Sequence, residues 1–72
     1  MVDNIYNITE IVGTSPDGTD TAIANAIEEA SKTLHNLDWF EVQSIRGNLS
    51  EGRVLDWQVT IKIGFRHEPK GQ

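Results

Sequence analysis

Four side chains in this 72-residue chain suit the binding of a planar, anionic small molecule: Trp39, Gln58, Arg46 and Arg66. Trp39 lies in Asp38-Trp39-Phe40-Glu41-Val42-Gln43. Phe40 and Val42 share a parity and are expected to face the core. Trp39 then falls on the opposite, polar face with Glu41 and Gln43, because successive strand residues point to opposite sides. An indole on a polar sheet face is an interface anchor or a stacking platform for a planar ligand, and pattern alone favours the anchor. Gln58 carries a primary amide, a donor and an acceptor side by side, which suits the edge of a heterocycle with alternating C=O and N–H groups. A solvated glutamine is the commoner occupant of such a position. Arg46 and Arg66, two of three arginines, can take a phosphate or form ion pairs with Glu41, Asp56 or Glu68 between copies. Ion pairing is the more common use. Arg46 has the opposite parity to Trp39, so a shared site needs a bulge or a neighbouring chain.

The remaining candidates are weaker. His35 and His67 are far apart in sequence and lack metal-ligand spacing, so both read as surface residues. The turn from Gly13 to Gly18 precedes a helix, a geometry able to bind anions. It matches neither the dinucleotide fingerprint nor the P-loop, lacking their glycine spacing and the lysine. No carboxylate pair, nucleophile triad or metal cluster stands out, so no catalytic or metal-binding residue is assigned.

These residues need elements to hold them. Ile5 to Val12 reads as a first strand, and Gly13-Thr14-Ser15-Pro16-Asp17-Gly18 as a break rich in turn formers. From about Asp20 to Asn36 the pattern turns helical: Ile23, Ile27, Ala30 and Leu34 form a stripe, with Ala26 beside them. Thr19 or Asp17 is the expected cap, Glu28 and Lys32 form a favourable pair, and Asn36 is the expected stop. A second strand spans about Trp39 to Leu49, and Ser50-Glu51-Gly52 turns the chain into a third. There every odd position from Leu55 to Phe65 is apolar, while the even positions are polar or small. That strand is half-buried, with Trp57 in the core, and runs to about Glu68. The expected architecture is α+β, with order β-α-β-β: a three-stranded antiparallel sheet packed on one helix. A single domain covers 1–72, with about 4–68 structured and 69–72 a tail.

Such a short chain has a marginal core and no cysteine to reinforce it. The third strand, ~50 Å at ~3.3 Å per residue, also outruns a helix of ~25 Å at ~1.5 Å per residue. Either it bends or other subunits bury its apolar end, so self-association is expected. The formal charge of −5 disfavours nucleic acid as a partner. No apolar run suggests a membrane span and no leader a signal peptide, which makes the cytoplasm the expected location.

In combination these segments resemble the dodecins. Glu10-Ile11-Val12-Gly13-Thr14-Ser15, Ala30-Ser31-Lys32-Thr33-Leu34, Asp38-Trp39-Phe40-Glu41-Val42, Ser44-Ile45-Arg46-Gly47, and Gln58-Val59 through Gly64-Phe65-Arg66 carry the match in order, across roughly residues 4 to 68. The resemblance implies a hollow homododecamer that stores and buffers flavins without turnover. By that resemblance Trp39 stacks on the isoalloxazine, with flavins paired between symmetry-related indoles. Gln58 reads the pyrimidine edge, and Arg46 and Arg66 lie by the phosphate. FMN, riboflavin or FAD are the implied ligands, and coenzyme A is a further one in the family. His67 and Trp57 depart from the family pattern, the first polar where an apolar residue is expected, the second larger than usual. The alternative reading is an oligomeric structural or interaction module with no flavin. A flavin-dependent enzyme is disfavoured, because no acid, base or nucleophile accompanies the proposed site.

Overall fold

The computed structural model describes residues 4–67. Strand β1 spans Tyr6–Ser15, helix α1 Thr19–Ala30, strand β2 Leu37–Ser50 and strand β3 Arg53–Arg66. The α+β reading and the order β-α-β-β hold. The sheet runs β1-β3-β2 with both pairings antiparallel, so the strongly alternating β3 lies in the centre. The expected tail at 69–72 and the extension to Glu68 lie outside the described residues; β3 itself ends at Arg66.

The parity of β3 decides the core. Val59, Ile61 and Ile63 are fully buried beneath the helix. The helix meets them with Ala22, Ala26 and Ala30, whereas Ile23, Ile27 and Leu34 sit half-buried at the margin. The expected isoleucine stripe is therefore displaced by one position. The cause is proximity: a Cβ on Gly13 of β1 would strike the Ala22 carbonyl oxygen and lie 2.8 Å from Ala26 Cβ. Only alanine methyls fit between backbones that close, so the branched side chains flank the contact.

Several local expectations change for similar reasons. Strand β1 continues through the expected break to Ser15, because Gly13, Thr14 and Ser15 still pair with Val59, Gln58 and Trp57. The helix starts after Gly18 with no side-chain cap, and Ser15 Oγ instead accepts the Asp17 N–H at 3.0 Å. It ends at Ala30, short of Asn36, and residues 31–33 form a turn. Asn36 follows with a φ of 62°, the left-handed residue that swings the chain into β2. Lys32 pairs with Glu29 at 3.2 Å, not with Glu28, since the last turn lies beyond the helix proper. The hairpin between β2 and β3 turns at Glu51 and Gly52, whose φ values of 51° and 77° suit a two-residue turn.

Trp57 is not a core residue. It is half-buried beyond the covered part of the sheet, in a shallow recess beside Asp17 to Thr21 at the helix start. Past it the β2–β3 hairpin projects without cover, with Leu55 56% and Leu49 71% exposed, and the molecule is 55 Å long but only 14 Å thick.

Gly13→Ala is expected to force helix and sheet apart and to cost about 1–3 kcal/mol, as overpacking in a tight core does. Denaturant unfolding at fixed protein concentration measures it; an unchanged midpoint would mean the contact has slack.

Candidate functional site

The open face of the sheet, opposite the helix, carries the candidate residues, and the register places each one. On β3 the even positions Gln58, Thr60, Lys62 and Gly64 share this face, since the odd ones are buried under the helix. On β2, Trp39 pairs with Gly64 and Glu41 with Lys62. A register shift then falls between Val42 and Ser44, after which Ser44 pairs with Thr60 and Arg46 with Gln58. The irregularity reverses the parity of β2. Trp39 and Arg46, of opposite parity in sequence, thus share one face, one of the two routes the sequence left open.

Trp39 has a defined seat. A Cβ built on Gly64 would lie within 2.6 Å of three indole carbons, Cδ2, Cε2 and Cζ2. Near-equal distances to three adjacent ring atoms put that point over the face of the ring, not at its edge. The indole therefore lies flat across β3 with one face on Gly64, which it buries, and Trp39 itself remains 40% exposed. Tyr6 flanks it with ring centroids 6.0 Å apart and planes tilted by 56°, and the Tyr6 hydroxyl donates to Asp38 Oδ2 at 3.2 Å. Such tilted aromatic pairs are favourable beyond their buried area.

The candidates fall into two groups. Arg66 lies two residues beyond Gly64 on the same face, and its Nη2 donates to Asn36 Oδ1 at 3.4 Å. It belongs with Trp39. Gln58 and Arg46 are cross-strand partners and form the second group. Six residues of β3 separate Gln58 from Gly64, ~20 Å at ~3.3 Å per residue. A single chain therefore does not bring the indole and the amide onto one three-ring heterocycle.

Among the described residues Arg46 makes no ion pair. Asp56 turns its carboxylate to Asn48, where Oδ1 accepts the backbone N–H at 3.2 Å and the side-chain amide at 3.0 Å, beside a further register shift between Asn48 and Leu49. Among the described residues the one ion pair is Lys32–Glu29, far from this face. His35 and His67 are both exposed, as expected; His67 Nδ1 lies 3.3 Å from Asn7 Nδ2. Among the described residues no group of three or more His, Asp or Glu side chains gathers to hold a metal, and no helix is long and apolar enough to cross a membrane. Sequence reasoning missed Gly64 and Tyr6. Both fall in runs already read for other reasons, and only the pairing register brings them to Trp39.

The comparisons agree with this architecture. The dodecin family model matches residues 5–68. A dodecin from Thermus thermophilus is 48% identical over 64 residues, which cover 89% of this chain and 93% of the relative. Among solved structures, dodecin from Streptomyces coelicolor superposes with a TM-score of 0.91 at 53% identity, covering 97% of this chain and all (100%) of its own. Dodecin from Streptomyces davaonensis gives 0.88 at 56% identity, covering 94% and 100%.

Removing the Asp56 carboxylate should loosen the bulge that leaves Leu55 unpaired opposite Asn48 and Leu49. Asp56→Ala is expected to cost about 0.5–1.5 kcal/mol and to speed amide exchange at Asn48; protection as strong as in the parent would show that the backbone ladder alone holds the bulge.

Proposed function

The chain belongs to the dodecin family, and on that premise we propose that it is a flavin-storage protein in which Trp39 is the stacking platform. The observation that carries this reading is the seated indole: one face rests on Gly64, and the residue is still 40% exposed on the open face of the sheet. An indole held that way loses little freedom when a flat ring settles on it, and pre-organisation of this kind favours affinity. The electron-rich indole donates an electron to the excited flavin, and rapid return of that electron discharges the light energy.

The ~20 Å between Gly64 and Gln58 along β3 makes the site a joint property of several copies. Gln58 from a second chain reads the pyrimidine edge of the ring stacked on Trp39, and two rings pair between symmetry-related indoles. Arg66, beside Trp39, and Arg46, beside Gln58, then reach the ligand tail from different chains. Both favour FMN over riboflavin, FAD being the bulkier alternative, and coenzyme A is a further phosphorylated ligand for the same guanidinium groups.

A hollow dodecamer fits the surfaces left uncovered. On the helix side of β2, Phe40, Val42 and Ile45 stay exposed because the helix packs on β1 and β3. Copies that bury this stripe and the projecting hairpin supply the core that one short chain lacks. We assign no described residue a role in turnover; in this reading the protein binds and protects.

Fluorescence titration of FMN and riboflavin, with light scattering on the same sample, tests the proposal. Quenching that saturates near one flavin per chain is expected, on a particle near twelve times 8.0 kDa. An oligomer that quenches neither ligand would leave a scaffold protein instead. Trp39→Ala should weaken flavin binding at least about tenfold, or ~1.4 kcal/mol, with the particle mass unchanged. Replacing Arg46 and Arg66 together by alanine should weaken FMN by about 1.5–3 kcal/mol, as expected for charged hydrogen bonds, and riboflavin far less. Equal losses for both ligands would mean that the arginines do not recognise the phosphate.

A further inference from the structure

We infer that Gly64 is a positioning residue for the ligand platform: its missing side chain sets the height of the Trp39 indole and leaves it a single usable face. This rests on the flavin reading above, which uses the seat on Gly64 but not the consequence of its missing side chain. The backbone does not require glycine at this position. Gly64 is a paired residue, third from the end of the β1–β3 ladder, and lacks the positive φ that marks Gly52. The space does require it. A Cβ there would lie within 2.6 Å of indole Cδ2, Cε2 and Cζ2, where carbon atoms at rest keep about 3.5–4.0 Å. An alanine would have to lift the ring by more than about 1 Å or turn it away.

Two properties of the platform follow. Height is the first: the ring lies directly on the strand, so a ligand stacked on it stays close to the sheet, within reach of side chains such as Arg66. Occupancy is the second. The inner face of each indole is closed by the strand, so each chain can stack one aromatic ring and no more. Tyr6, centroid 6.0 Å away and hydrogen-bonded to Asp38, limits sideways movement of the same ring. A glycine beneath a cross-strand aromatic is also a known stabilising device in sheets, and the test must separate that role from ligand positioning.

The experiment uses Gly64→Ala in a Trp57→Phe background, so that residue 39 provides the only indole signal. In flavin-free protein, near-ultraviolet circular dichroism and acrylamide quenching report the seat directly. The expected result is loss of most of the indole band and easier quenching, with the particle mass unchanged by light scattering. An indole signal that does not move would overturn the seat, whatever the ligand. Titration with FMN should then show at least about a tenfold weaker Kd, and unchanged affinity despite a displaced indole would overturn the positioning role. Adding Gly64→Ala to Trp39→Ala should have no further effect on FMN binding or thermal stability. A persistent loss there would assign Gly64 to the sheet and not to the platform. If the parent protein bound no FMN while the indole signal still moved, the seat would stand and the flavin reading, with the ligand half of this inference, would fall.

Discussion

A mismatch of length governs this molecule. Fourteen residues of β3 extend ~46 Å at ~3.3 Å per residue, while the twelve residues of α1 rise ~18 Å at ~1.5 Å each. One helix shields less than half of the strand it packs on, and it sits on β1 and β3 with little contact to β2. Burial therefore concentrates in three β3 side chains and three helix alanines, and every strand runs on into solvent. A chain built this way keeps a small private core and presents the rest of its apolar surface outward. Association in this protein is the completion of a fold that one chain can only begin.

The same geometry determines what the open face can do. With all helical cover on one side, the other side remains a long strip, and distances along it follow strand spacing. The register shift near Gln43 brings Trp39 and Arg46 onto that strip, and the spacing then keeps them apart. The fold thus sets two groups of side chains apart, an indole with Arg66 at one end and Gln58 with Arg46 at the other, and the proposed function reads them as half-sites. Two halves from different copies make one complete site in the proposed assembly. Ligand binding and assembly are then coupled, because only an assembled particle offers both halves to the same ring.

Much of this was legible in the sequence, and the failures share a cause. The alternation of β3 named its buried face correctly, and the same rule put Trp39 on the open face. Parity works there because it follows from strand geometry alone. It failed for Trp57, which has the right parity but lies beyond the helix; burial depends on what covers a position, which the strand itself does not encode. The helix stripe failed in a related way. Ile23 and Ile27 are the more hydrophobic residues, yet Ala22 and Ala26 take the centre because Gly13 lets the backbones close. Lys32 found Glu29 because the helix stopped early. Strand β2 could be read only as a choice: Arg46 needed a bulge or a neighbour, and nothing in Val42-Gln43-Ser44 identified which. Gly64 was the least legible residue. It was read as one more small residue on a polar face, and its role exists only where Trp39 crosses it.

The seated indole also bears on the difference between storing a flavin and using one. Flavin chemistry needs one ring face open to a hydride donor or to oxygen, with protein groups near the reactive positions to tune them. In the proposed assembly the closed inner face of the indole restricts each chain to one stacked ring, and pairing of two such rings between two indoles covers both faces of each flavin. A donor then has no face to approach, while an excited flavin has an electron-rich partner in van der Waals contact. In that reading the stacking contact is indifferent to the ligand tail, so different flavins are accepted. In the same reading the arginines add preference for a phosphate without closing the site to riboflavin. On the proposed reading, protection and broad retention of flavins are two consequences of one contact, a flat indole on a residue with no side chain.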